Sequence, residues 1–234
     1  MGPHALLLAA ALGAYLWYLR GGPFPPGVLA ERRFARLAAR SGTLFGAASM
    51  LGLAVAGRSE ALFRPPSEFA DAVAIAQHWM PGMTERMAFG LIALGLAIGG
   101  SVGALLSRWR GRAFALGDVS AVLPRHRGEL GWAALLALAS GVSEELFFRL
   151  FLPLTIAAAT GSGLLGFGVA TVLFGLAHRY QGWSGMLATS AAGALLAATY
   201  LASGSIWVAA ALHAILNLNG LVLRPIAMGV LRAP

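Results

Sequence analysis

Glu144, Glu145 and Arg149 stand in Gly141-Val-Ser-Glu-Glu-Leu-Phe-Phe-Arg-Leu-Phe-Leu152, inside a run from Trp132 to Ala159 that is otherwise almost wholly apolar. Three further groups follow in the same hydrophobic half. His178 ends Phe174-Gly-Leu-Ala-His178, and His213 and Asn217 lie four apart, on one helix face. Asn219 comes two residues later and points elsewhere. A carboxylate and an imidazole sharing one water make a general base for amide hydrolysis. A second imidazole and an amide N–H can stabilise the resulting oxyanion. Glu144, His178 and His213 are equally the ligand types of a catalytic zinc site with an open position. No His-Glu-x-x-His is present, so such a site would be assembled across helices. The residue types leave both chemistries open.

These charges are expensive where they lie. A charge at the centre of a bilayer span costs roughly 2.5–3.5 kcal/mol. Glu145 and Arg149, at i and i+4, can neutralise each other within one helix. Glu144 is then left without a local partner, and a lone intramembrane carboxylate marks function.

The elements that must hold these groups are membrane helices. The chain has 234 residues, of which 58% are hydrophobic and 11% charged, with a mean hydropathy of +0.75. Soluble domains carry about 25% charged residues. The expectation is an all-α polytopic bundle of seven to eight transmembrane helices in one compact domain. Residues 1–129 would supply about three helices with basic loops, and residues 130–234 the bundle that bears the site. Apolar runs fall at 4–19, 43–57, 86–107, 130–160, 162–178, 183–202 and 205–222. Tyr15, Trp17 and Tyr18 close the first run as an interfacial belt, which reads as an uncleaved helix rather than a signal peptide. Gly95, Gly99 and Gly103 read as close helix contacts, and Phe147, Phe148 and Phe151 as packing or the lining of a lipid-chain groove.

The chain lacks cysteine, which excludes disulfides and thiolate ligands, and all 17 of its basic residues are arginine. With the Ala, Gly and Leu content, that points to a high-GC, bacterial source. The net charge of +8 raises nucleic acid as a partner, and the placement of the charge argues against it. Arg20, Arg32, Arg33, Arg36 and Arg40 crowd residues 20–40; Arg108, Arg110, Arg112, Arg125 and Arg127 crowd residues 108–129. Alternate connectors are therefore basic. Seven spans in a bacterial inner membrane follow, with the N-terminus outside, the C-terminus inside and the arginines on lipid headgroups. Nothing in the sequence specifies an oligomeric state. His4, His78 and His126 fall in termini or loops and receive no role.

Depth gives a test of proximity. Glu144 precedes Gly161 by 17 residues and His178 follows Ser162 by 16, so at ~1.5 Å per residue both lie about 25 Å from the Gly161-Ser-Gly163 turn. Glu144 and His178 are thus expected to face each other, with Pro153 kinking the first helix modestly. His213, counted from Ser203-Gly-Ser205, lies only about 12–15 Å deep and fits less well.

Taken in order, Glu144-Glu145-x-x-x-Arg149, Phe174-x-x-x-His178 and His213-x-x-x-Asn217 resemble the three motifs of the CPBP family. That family comprises the type II CAAX prenyl endopeptidases and the bacterial Abi and bacteriocin-processing proteins. The resemblance spans roughly residues 130–222, and no motif position departs from the pattern. It implies an intramembrane endopeptidase in which Glu144 and His178 activate water. His213 and Asn217 would form the oxyanion site, and Glu145, paired with Arg149, would support it. The family has been discussed as both glutamic-type and zinc-dependent. The seven-span topology differs from the eight-span layout of the prenyl proteases.

Two other functions compete. One is a non-enzymatic membrane immunity factor or scaffold, which would tolerate Glu144→Ala. The other is an ion transporter that uses the buried carboxylates as a relay, which would need a polar path that most spans lack. For the peptidase, a membrane-tethered peptide or protein is the substrate: a prenylated C-terminus, a leader peptide or a C-terminal sorting helix. The bacterial composition disfavours the first.

Overall fold

The computed structural model of the chain describes residues 3–20, 30–90, 95, 105, 109, 117–227 and 231. Among them the regular elements are helical and there is no strand. The apolar run 86–107, Gly99 and Gly103, and Arg108, Arg110 and Arg112 of the second basic segment fall wholly or largely outside the described residues. Among the described residues two helices are long and apolar enough to cross a membrane, Arg179–Ser203 and Ile206–Ala227, and Ala5–Arg20 and Gly163–Ala177 are shorter apolar helices.

The first apolar run forms α1 (Pro3–Arg20). The arginine-rich segment expected to be a basic loop is instead α2 (Ala30–Ser41), continuous through a π turn (Gly42–Ala47) with α3 (Ala48–Val55). Its pattern explains the difference. Phe34, Ala38 and Ser41 recur at helical spacing and are buried, while Arg32 and Arg36 stay exposed on the other side. Arg33 does not face headgroups either. It is buried, and its Nη2 donates to Leu123 O at 2.9 Å and to Glu129 Oε2 at 3.2 Å. Arg40 and Arg179 donate to the last carbonyls of α1: Arg40 to Trp17 and Tyr18, Arg179 to Leu19 at 2.8 Å. Cations at a helix C-terminus satisfy orphan carbonyls and complement the dipole.

A short helix, α4 (Ala70–Trp79), precedes the long rod of the molecule, which runs through α5 (Leu130–Glu145), a π turn (Leu146–Phe151) and α6 (Leu152–Thr160). The outer face of α5 carries Trp132, Leu135, Leu138 and Val142, all exposed, as a lipid-facing stripe would be. Its inner face carries Ala133, Ala137, Ser140, Gly141 and Glu144, all buried. Pro153 cannot donate to the carbonyl of Arg149. The mismatch is taken up one turn earlier as the π turn, which widens the helix between Glu145 and the proline. Phe147, Phe148 and Phe151 on this turn are fully buried and pack with Phe45, Phe174 and Tyr15, so they form core rather than a lipid groove.

Gly161 (φ 79°) ends α6, and α7 (Gly163–Ala177), α8 (Gly182–Ser203) and α9 (Ile206–Leu218) follow. A third π turn (Asn219–Leu223) leads into α10 (Arg224–Ala227). The start of α7 is capped from outside itself. Asp71 of α4 accepts from Gly163 N–H at 3.1 Å, Leu164 N–H at 3.2 Å and Ser162 Oγ at 3.0 Å. An anion at a helix N-terminus is favoured by the unpaired amides there. Gly95 has nothing within 4 Å of where its Cβ would be among the described residues, and its chain neighbours lie outside them.

Candidate active site

Helices α5 and α9 cross in backbone contact, and this crossing assembles the site. A Cβ on Gly141 would sit 2.6 Å from the Ala214 backbone, so glycine is what lets the two helices meet. The contact brings His213 against the carboxylates of α5. Its Nδ1 lies 2.7 Å from Glu145 Oε1 and its Nε2 3.9 Å from Glu144 Oε2. His213 does not sit where level, parallel helices would put it. The crossing sets Ala214, past the middle of α9, beside Gly141, far back from the end of its own rod.

The two glutamates have different surroundings. Glu145 is sealed, with Arg149 Nη1 2.9 Å away and His213 on the same carboxylate oxygen. Its other oxygen, Oε2, has no hydrogen-bond partner among the described residues. Arg149 is held by α7 and α8. Its guanidinium lies 4.1 Å over the Phe174 ring, and Nη2 fills the space a Cβ on Gly193 would take. Glu144 retains 6% exposure against 0% for Glu145, and the basic side chain in contact with it among the described residues is His213. Tyr18 of α1 and Tyr180, before α8, are within electrostatic reach of Glu144.

His178 closes α7 and is half-buried. Its Nδ1 is 2.8 Å from Phe174 O, and a carbonyl can only accept, so Nδ1 carries the hydrogen and Nε2 is the nitrogen left open among the described residues. The charges of Glu144 and His213 act on it, but among the described residues Glu144 makes no hydrogen bond or ion pair with it. The expected direct meeting of Glu144 with His178 is therefore replaced by one of Glu144 with His213. Phe174 stacks edge-on with both histidines, with ring centroids 4.9 and 5.7 Å apart. Asn217 lies one turn beyond His213 and donates from Nδ2 to Ser140 Oγ at 3.0 Å.

Zinc can be tested on the same geometry. Among the described residues no three His, Cys, Asp or Glu side chains are gathered to hold a metal ion. One nitrogen of each imidazole is engaged, by Phe174 O and by Glu145, as the outer nitrogen of a metal-bound histidine also is, so those bonds leave a nitrogen on each ring for a metal. It is the spacing that does not fit: Glu144, His178 and His213 are not gathered around one zinc position as they stand.

Ser140 and Ser143 join the site without any mark in the charge pattern of the sequence. Both are buried on α5. Ser143 shares a hydrogen bond with Ser41 Oγ at 2.7 Å and ties α2 to the residue next to Glu144. Being neutral, a serine in an apolar run sends no alarm in hydropathy. The usable signal was spacing, since Ser140 precedes Glu144 by one helical turn. His126, which received no role, lies 3.6 Å from buried Glu129.

Residues 126–219 match the family model described as type II CAAX prenyl endopeptidase, Rce1-like. Over that segment, less than half of the chain, the sequence is similar to the CPBP/CAAX protease family. The family is one of integral-membrane proteases acting on membrane-associated proteins or peptides, which accords with the all-helical fold and its apolar helices. Comparison with curated proteins and with solved structures returns no match.

Proposed function

We propose that this chain is a glutamic-type intramembrane endopeptidase. The observation that carries the reading is the unequal treatment of two adjacent carboxylates. Glu145 is paired with Arg149 and engaged in orienting His213, while Glu144 remains slightly open and, among the described residues, has an imidazole as its one ion-pair partner. Glu144, with the free Nε2 of His178, takes a proton from water as the water oxygen attacks the scissile carbonyl carbon. The tetrahedral oxyanion is held by His213 Nε2–H and by the Asn217 amide. Collapse breaks the C–N bond, and the proton held by Glu144 passes to the leaving amine, releasing a carboxylic acid and a new N-terminus. Glu145 accepts from His213 Nδ1–H and orients the ring, so that in the imidazolium the second N–H, on Nε2, is the one turned to the oxyanion. No step runs through a metal.

The substrate is a membrane-tethered peptide. Prenylated C-termini are what the family description names, and leader peptides and C-terminal sorting helices are the alternatives that suit a bacterial inner membrane. The full chain is read as seven to eight spans, N-terminus outside and C-terminus inside. Quenched-fluorescence peptides of the three classes, offered to the purified chain in detergent and in liposomes, test this reading. Cleavage should vanish in folded Glu144→Gln and His178→Ala. Undiminished cleavage in both would sink the mechanism, and loss on chelation restored by zinc would replace it with metal-dependent chemistry.

A further inference from the structure

We propose that Ser140 is a positioning residue that sets the orientation of the Asn217 amide; this rests on the peptidase reading above. Ser140 Oγ lies 2.8 Å from Leu136 O, one turn back on α5. A carbonyl only accepts, so the single hydroxyl hydrogen is spent there. Toward Asn217 the serine oxygen can then only accept. The atom 3.0 Å away must be Nδ2, with one N–H pointing at Ser140 and the second left over. The amide is therefore fixed by hydrogen-bond logic rather than by an arbitrary choice between its oxygen and nitrogen.

The arrangement has a chemical purpose. His213 and Asn217 share one face of α9, so the second N–H can join the imidazole at one oxyanion. A flipped amide would present its oxygen instead and repel that charge. Ser140 is buried at 6% exposure, one turn before Glu144 on the same helix, and Gly141 beside it admits the α9 backbone. One helix thus carries the proposed base and the brace for the proposed oxyanion donor.

The test uses the full chain in detergent, with a farnesylated C-terminal peptide bearing a fluorophore and quencher, and with the leader and sorting-helix peptides in parallel. By analogy with oxyanion-donor deletions, Asn217→Ala should lower kcat about 100-fold and Ser140→Ala roughly tenfold, with KM unchanged. Ser140→Thr, which keeps the hydroxyl, should restore most of kcat. In the Asn217→Ala background, Ser140→Ala should cost nothing further, since its only route is through the amide. Equal melting temperatures exclude a folding defect as the cause. Wild-type kcat in Ser140→Ala, no rescue by threonine, or full additivity in the double variant overturns the inference alone, provided Glu144→Gln is dead. Activity in Glu144→Gln, or no cleavage of any peptide by the wild type, overturns the peptidase reading and this inference with it.

Discussion

Two ion-pair clusters in this molecule are built from the same residue types and live in opposite media. In the connector after α3, Arg58 binds Glu68 through two hydrogen bonds and Glu60 through a third, with side chains 26–46% exposed. In the bundle, Arg149 meets Glu145 with both side chains at 2% exposure or less. Every carboxylate oxygen in the outer cluster can turn to water. The inner cluster leaves Glu145 Oε2 and both terminal nitrogens of Arg149 without hydrogen bonds among the described residues. The outer pairs are adjustable and individually weak. The inner set has no solvent to fall back on, so removing any member leaves a bare charge. The inner cluster therefore holds geometry, at a cost in stability that the outer one never meets.

Substitutions break this comparison in descending order of effect. Glu144→Gln should reduce turnover by about 10²–10⁴-fold with an unchanged melting profile; a large fall in melting temperature would recast Glu144 as structural. Arg149→Met strands Glu145 and should cost about 3–5 kcal/mol of stability, read by unfolding in detergent. The paired change Glu145→Leu with Arg149→Met should recover most of that stability and none of the activity, because His213 loses the group that orients it. Asp71→Ala removes the external cap of α7 and should cost about 1 kcal/mol, with little effect on cleavage.

Arg58→Ala should be the mildest, below about 1 kcal/mol. The Arg58 guanidinium, hydrogen-bonded to Glu68, holds that carboxyl at about 2, below its ordinary 4.5. A depressed carboxylate contributes stability that is complete above its unfolded value and is lost as pH falls through the folded one. The wild type should therefore lose this small increment between pH 4.5 and about 2, and Arg58→Ala, which keeps only the Ser67 and backbone hydrogen bonds to Glu68, should show a smaller step; an identical acid limb in both would remove the Arg58–Glu68 pair from the account.

Much of the inner cluster was legible from spacing. Glu145 and Arg149 at i and i+4 announce their pair, because the helix repeat alone decides who can touch. His213 and Asn217 announce a shared face in the same way. What spacing within one helix cannot carry is the angle between helices, and that angle decided the partner of Glu144. His213 was placed too shallow and His178 given the contact, since level turns and parallel axes were assumed. The arginines of α2 misled for another reason. Their count suggested a basic connector, while Phe34, Ala38 and Ser41 beneath them carried a helical stripe. Ser140 stayed silent because a hydroxyl can satisfy itself on its own helix, which leaves no imbalance for hydropathy to register.

The π turn at Leu146–Phe151 bears on how this chain tolerates insertion and deletion. A π turn holds more residues per turn than an α turn, so losing one residue there would leave an uninterrupted α-helix. Such a deletion would look mild, since it removes no charge and improves the backbone hydrogen bonding. Because the wide turn absorbs the extra residue, the helix beyond it would keep nearly the same face, and Arg149, now three residues from Glu145, would stay within its reach. The cost would fall on Pro153, whose ring would meet the carbonyl one turn back without the widening that accommodates it. A one-residue deletion here should therefore act through the proline, and replacing Pro153 should relieve it.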